Sequence, residues 1–106
     1  MAVAEVFRAL GDPLRLEMVQ RLSNGVPCTI SVVSNELGIS RQGARKHLQV
    51  LADAGIIVLE PRGRDVLVQL DCERLDQAKA FITEIERHWD RRLAALKQFV
   101  EDGSMG

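Results

Sequence analysis

The chain has 106 residues, with 14 Lys+Arg against 15 Asp+Glu, a formal charge of −1. That length holds one ordinary domain rather than two, and 46% apolar with 27% charged residues argues for a packed core and against wholesale disorder. The near-neutral charge gives no whole-chain basic signature for nucleic acid, and there is neither an acidic tail nor a basic arm.

The segment from Met1 to Leu10 carries Glu5 and Arg8 and no long apolar run, so it does not read as a signal peptide. Val3, Val6, Phe7 and Leu10 are spaced for a first helix over 3–10. Asp12-Pro13 is a cap followed by proline at the first helical position. It predicts a second helix over 12–23, with Leu14, Met18, Val19 and Leu22 as its stripe and Asn24-Gly25 as its end. Pro27 and Thr29 precede a third helix over 30–37, closed by Gly38. Ser40 caps a fourth over 40–54 that stops at Gly55.

After Gly55 the period changes. Ile56-Ile57-Val58-Leu59 and Val66-Leu67-Val68-Gln69-Leu70 flank Pro61-Arg62-Gly63-Arg64-Asp65, which predicts a hairpin over 56–70. The helical period returns over 72–102, and 103–106 is a loose tail. The expected fold is therefore mainly α with a small β-wing, in the order four helices, two strands, long helix. Residues 1–102 form a single domain. Two short helices around a glycine turn are the sequence form of a helix-turn-helix, and the hairpin adds a wing.

No stretch approaches the ~18 consecutive apolar residues of a membrane span. Three Phe, one Trp and no Tyr are too few for the stacking platforms of single-strand and RNA binders. Cys28 and Cys72 are too few and too far apart to read as a disulfide framework, so a cytoplasmic protein with no membrane partner is expected.

On a wheel of roughly 100° per residue, Leu48 and Leu51 fall within about 40° of Ala44 and define the buried face of the fourth helix. Gln42, Arg45, Lys46 and Gln49 cluster on the far side, with no acid before Asp53. Arg41 stands at the first turn beside the Ser40 cap, where the helix dipole is positive. These residue types suit the major groove: Arg chelates O6 and N7 of guanine, and Gln chelates N6 and N7 of adenine. Arg62 and Arg64 on the hairpin suit a phosphate or minor-groove contact. An Arg/Lys/Gln face is by itself more often a solvated one. The preceding short helix, the near-absence of acids and the basic wing shift that balance. Residues 40–64 sum to +3, residues 1–39 to −1 and residues 65–106 to −3.

Phe7-Arg8-Ala9-Leu10-Gly11-Asp12-Pro13-Leu14-Arg15-Leu16, Glu36-Leu37-Gly38-Ile39-Ser40, Ala44-Arg45-Lys46-His47-Leu48-Gln49-Val50-Leu51 and Ala54-Gly55-Ile56-Ile57 together resemble the arsenic-repressor (ArsR/SmtB) type of winged helix-turn-helix regulator. The resemblance implies homodimeric repressors of bacteria or archaea that bind double-stranded DNA. It places His47 as a flank residue of the reading helix, within reach of a phosphate. The expected DNA-binding set is Ser40, Arg41, Gln42, Arg45, Lys46, His47, Gln49, Arg62 and Arg64.

The last helix carries Leu75, Ala78, Ile82, Ile85, Trp89, Leu93, Leu96 and Val100 at steps of three and four, widened by Phe81 and Phe99. At about 1.5 Å per residue it spans on the order of 45 Å, against about 30–35 Å for a domain of this size. Part of the stripe must overhang, and a second copy is the simplest cover. The expected dimer interface is Val3, Val6, Phe7, Phe81, Ile82, Ile85, Trp89, Leu93 and Leu96. A twofold dimer would set two reading helices about one DNA turn apart, or a multiple, on a near-palindromic site.

Metal positions that the resemblance implies are mostly unfilled. A Cys-x-Cys run would fall at Thr29 and Ser31, with Cys28 one residue outside it. Glu86-Arg87-His88 matches the first half of a last-helix site, but its second half would fall at Phe99 and Asp102. No metal or cofactor is therefore expected, and the pattern matches a branch of the family without obvious metal ligands. A thiol response through Cys28 and Cys72, a metal response through His88 with Glu84 or Glu86, or an unknown small-molecule effector remain open alternatives. There is no nucleophile–base set, metalloprotease motif or phosphate loop, so an enzyme is not expected. The other alternative, a winged-helix module that binds protein, would carry a neutral or apolar reading face.

Overall fold

The computed structural model describes residues 2–104; Met1 lies outside the described residues, as do Met105 and Gly106 of the expected tail. The elements are α1 (Ala2–Leu10), α2 (Pro13–Arg21), β1 (Cys28–Thr29), α3 (Ile30–Val33), α4 (Arg41–Asp53), β2 (Ile57–Arg62), β3 (Asp65–Leu70) and α5 (Cys72–Ser104).

Local chemistry sets these boundaries. Asp12 caps α2 by accepting from the backbone N–H groups of Leu14 at 2.8 Å and Arg15 at 3.1 Å. Ser40 caps α4 by accepting from the Gly43 N–H at 2.9 Å. The end of α4 is a paired closure: Gly55 N–H donates to Ala52 O at 2.9 Å and Ile56 N–H to Leu51 O at 3.0 Å. That closure needs a left-handed residue, and Gly55 has φ +77°. Gly55 also packs on Arg74, whose Cγ would lie 2.7 Å from an added Cβ.

The core joins every layer. Val6 and Ala9 of α1, Met18 and Leu22 at α2, Val33 of α3, Ala44, Leu48 and Leu51 of α4, Ile56, Ile57, Val68 and Ala78 are all buried together. The wheel drawn from the sequence thus finds the right face of α4. Val6 corrects the interface expectation: it is fully enclosed within its own chain and is not available to a second copy. Val3 and Phe7 stay at the surface of α1, half-buried and exposed respectively.

Four details differ from the sequence reading. The sheet has a third strand, β1, whose Cys28 pairs with Val68 and Thr29 with Leu67, giving the order β1-β3-β2. A two-residue strand is too short to show a period. α3 is one turn and ends at Val33 rather than Leu37. Glu36 at φ 63° and Gly38 at φ 71° put two left-handed residues into the segment between Val33 and Ser40, which no helix tolerates. The hairpin loop is only Gly63-Arg64, because Arg62 pairs with Asp65 and Pro61 with Val66. Pro61 is tolerated there because β2 is an edge strand. Finally, α5 continues through Gly103 to Ser104, so the first half of the expected tail is helical.

α5 packs against α1, with the Phe7 and Phe81 rings 5.9 Å apart between centroids. Only its first turns reach the core, through Leu75 and Ala78. From Phe81 onward, Ile82, Ile85, Trp89, Leu93, Leu96, Phe99 and Val100 are exposed. The chain extends 74 × 26 × 24 Å, with a radius of gyration of 19.9 Å against about 13 Å for a compact domain of this length. No helix among the described residues is long and apolar enough to cross a membrane.

Candidate nucleic-acid interface

α3, its turn and α4 form the helix-turn-helix, and the β2–β3 hairpin is the wing. Burying Ala44, Leu48 and Leu51 turns Arg41, Gln42, Arg45, Lys46 and Gln49 outward, and all five are surface residues, with Arg41, Gln42, Arg45, Lys46 and Gln49 exposed. Gly43 leaves room for the cap, since an added Cβ would sit 3.2 Å from the Ser40 hydroxyl oxygen.

The site residues separate by their partners. Arg41, Arg45 and Arg64 line one pocket of about 60 Å³ between α4, the hairpin and Thr29–Ser31. None of the three makes an ion pair or side-chain hydrogen bond among the described residues. Arg62 leans back along the hairpin to Glu60, Nη2 to Oε1 at 3.6 Å. Gln49 donates from Nε2 to Asp53 Oδ1 at 2.8 Å, which ties up its amide in the free chain.

His47 stands apart. It is half-buried, and the Arg15 Nη1 lies 3.2 Å from its Nδ1. A guanidinium has only donors, so Nδ1 accepts. Its Nδ1 edge faces α2, which gives His47 a place in holding α4.

Two arginines of α2 were not visible as site residues from the sequence. Arg15 donates from Nε to Ala9 O at 2.6 Å and reaches Arg8 O at 3.5 Å, as well as His47. It joins the end of α1 to α2 and α4. Arg21 donates from Nη1 to Val33 O at 3.1 Å and to Asn35 O at 2.5 Å, and pairs with Glu17 at 3.3 Å. It fastens the turn of the helix-turn-helix to α2. Apart from the Glu17–Arg21 pair at helical spacing, these partners are backbone carbonyls and a histidine on other elements, which leave no pattern to read. The Asp12 carboxyl is held below its ordinary value, first by the Arg15 N–H. Desolvation opposes this, while the Leu14 N–H and the neighbouring His47 and Arg15 lower it further.

Cys28 is half-buried and Cys72 exposed, both as free thiols. Among the described residues, no group of three or more His, Cys, Asp and Glu is placed to hold a metal within one chain. His88, like Glu84 and Glu86, is exposed on α5.

A family profile described as a helix-turn-helix domain matches residues 10–60. A Staphylococcus aureus protein named as a cadmium resistance transcriptional regulatory protein CadC homolog is 34% identical over 88 residues, covering 81% of this chain and 73% of that one. An ArsR-like transcriptional regulator from Rhodococcus sp. RHA1 superposes with a TM-score of 0.76 at 33% identity, covering 92% of both chains. The chain belongs to the ArsR/SmtB family. SmtB of Mycobacterium tuberculosis, named as an HTH-type transcriptional repressor, is 33% identical over 69 residues; these are 65% of this chain and half the length of SmtB. The family comprises winged helix-turn-helix transcriptional regulators, not enzymes. Its membership accounts for the architecture: a short helix-turn-helix, a hairpin wing and a long terminal helix.

Proposed function

We propose that this chain is a cytoplasmic, sequence-specific repressor that binds double-stranded DNA as a homodimer. The observation that carries this reading is the open basic face of α4. Arg41 and Arg45 stand with Arg64 of the wing around one pocket, without carboxylate partners. Gln42, Arg45 and Lys46 are the base-reading side chains in this proposal, with Gln49 joining once released from Asp53. Ser40, Arg41, Arg62 and Arg64 position the phosphate backbone. His47 serves chiefly through Arg15, as a support for α4.

Dimerisation is supported by the apolar stripe of α5, whose outer turns have no cover within the chain. The interface would comprise Phe81, Ile82, Ile85, Trp89, Leu93 and Leu96, with Val3 and Phe7 of α1 at its edge. Two reading helices on a twofold axis match two half-sites of a near-palindrome. Repression is the activity by which the SmtB relative is named.

The test is selection of bound duplexes from a random pool, followed by salt titration of the winner. Recovery of a near-palindrome and a linear fall of log affinity with log salt are expected, with a slope of about −0.9 per phosphate neutralised. Flat, negligible binding to every duplex, the protein's own promoter included, would overturn the reading.

A further inference from the structure

The tie between α2 and α4 runs through a titratable ring. Asp12, Arg15 and His47 are all half-buried. Arg15 Nη1 lies 3.2 Å from His47 Nδ1, while its Nε donates to Ala9 O at 2.6 Å and its Nη2 reaches Arg8 O at 3.5 Å. One guanidinium thus bridges the end of α1 and the middle of α4. A guanidinium stays charged and offers donors alone. The α4 end of the bridge therefore exists only while Nδ1 keeps its lone pair, in a neutral ring with its proton on Nε2.

A second proton reverses the contact. Nδ1 becomes a donor facing a donor, and two cations stand where a hydrogen bond stood. Half-buried charges are screened by salt far less than exposed ones. The surrounding charges do not absorb the change. On α2, Asp12 is the carboxylate beside the pair, and its Oδ1 already accepts from the Leu14 and Arg15 N–H groups. Asp12, Arg15 and His47 together go from a net charge of zero to one net positive charge. Glu17 of α2 is paired with Arg21. On α1, Glu5 and Arg8 carry opposite charges along a groove shared with Val50 and Asp53. Asp53 of α4 accepts from Gln49, and Lys46 is exposed. α3 has no titratable side chain, and Glu60 and Arg62 of β2 pair with each other.

Loss of the contact is local. Ala44, Leu48 and Leu51 hold α4 on the core by apolar packing alone, and Arg15 keeps its bond to Ala9 O. Protonation thus loosens the orientation of α4 without removing its seat.

We propose that His47 is a proton-operated latch: neutral, it fixes α4 to α2 through Arg15; protonated, it releases α4. The consequence for DNA rests on the DNA-binding reading above. A released α4 no longer holds the two reading helices at a set spacing, so affinity falls in acid. Direct contact of His47 with a phosphate gives the opposite sign, because an added cation strengthens DNA binding.

The chain has two histidines, so a His88→Gln background leaves His47 as the one imidazole titrating between about pH 5 and 8. In the first arm, imidazole ¹H–¹⁵N NMR of the free full chain follows the ring. The Nε2–H tautomer is expected at neutral pH and the cation in acid. The Arg15 Nε–H signal should move on the same curve, while the amides of Leu48 and Leu51 stay in place. An Nδ1–H tautomer, or a titration that leaves Arg15 unmoved, overturns the latch.

In the second arm, affinity for a selected duplex is measured against pH at constant ionic strength. A fall of about tenfold is expected along the same curve, within the range of ordinary coupling between sites. In His47→Gln the amide oxygen can accept from Arg15 but does not titrate, so the pH dependence should vanish, whatever the affinity at neutral pH. His47→Lys, a permanent cation, should bind weakly at neutral pH. Affinity that is flat, or that rises in acid or in His47→Lys, overturns the link from latch to DNA. If no duplex is recovered at all, the DNA-binding reading fails, while the imidazole titration still decides the latch.

Discussion

Replacing Ile85 by Asp tests the assembly most directly. Ile85 lies mid-stripe on α5, 52% exposed, between Phe81 at 46% and Trp89 at 62%. The eight exposed apolar residues from Phe81 to Val100 each present about half of their surface. Taking roughly 100 Å² apiece, from the ~150–250 Å² of a large side chain, the stripe offers about 800 Å² per protomer. That equals one side of a standard interface. Burying the exposed half of one Ile contributes about 1–1.5 kcal/mol, and leaving a carboxylate in its place adds at least a few kcal/mol more. Twofold symmetry counts the change twice, for a total of about 6 kcal/mol or more. At 1.4 kcal/mol per decade, dimer affinity should fall by a factor of at least ~10⁴. Sedimentation velocity should show a dimer for the wild type and a monomer for Ile85→Asp. Circular dichroism should keep its helical signal, because Ile85 makes no part of the buried core. A variant that remains dimeric at the same concentration would refute the α5 interface and place the contact elsewhere.

Arg45→Ala should lower DNA affinity by about 1–3 kcal/mol and relax base preference at one position of each half-site. Arg64→Ala should weaken all duplexes alike and flatten the salt slope by about one per wing; equal, sequence-independent losses from both would end this division of labour. Gly55→Ala should destabilise the fold by about 1–3 kcal/mol in chemical denaturation, because the residue sits at φ +77° and its Cβ would meet Arg74. Unchanged stability would show that the α4 closure can relax. Ser40→Ala should cost about 0.5–2 kcal/mol by loss of the bond to Gly43, read by the same denaturation. Asp12 gives a pH test: its folded-state carboxyl lies below the ordinary 3.8. Its stabilisation is present above that value and is lost as pH falls through the lowered one. The stability gap between wild type and Asp12→Ala should therefore hold steady at neutral pH and close in acid; a gap that widened in acid would reverse the assigned sign.

The sequence exposes those parts of this fold that repeat or punctuate. α4 is legible because Ala44, Leu48 and Leu51 recur at helical spacing between Ser40 and Gly55, each of which has a single clear conformational job. α5 is legible because a stripe of that length outruns any domain of this size. Features made by single residues or by distant partners are not legible. β1 is two residues whose pairing with β3 crosses some forty positions of chain. α3 stops early because Ser34 folds back, its hydroxyl donating to Ile30 O at 2.7 Å, and because Glu36 adopts a left-handed backbone that nothing in its identity announces. Val6 shares the helical spacing of its neighbours Val3 and Phe7, and only packing reveals that it faces inward. The candidate site divides the same way. Residue types on α4 pointed to a basic face, but the convergence of Arg64 with Arg41 and Arg45 needed the wing in place.

Recognition by two copies requires that the distance between reading helices be set rigidly, and the arginines of α2 explain how. In the proposed dimer, the stripe that pairs the copies lies on α5, while the proposed base-reading face lies on α4. α1 lies between them, packed against both. A hydrophobic contact such as Phe7 on Phe81 resists separation but tolerates sliding, because dispersion forces have little directionality. Hydrogen bonds from a planar guanidinium are directional. Arg15 holds the carbonyl of Ala9, at the end of α1, and the ring of His47, in the middle of α4, with the two ends of one side chain. Arg21 holds the two carbonyls that define where α3 turns toward α4. Apolar packing thus fixes which elements meet, and these two side chains fix their orientation. A dimer built on α5 would transmit that orientation to both reading helices at once, which is what a fixed half-site spacing demands.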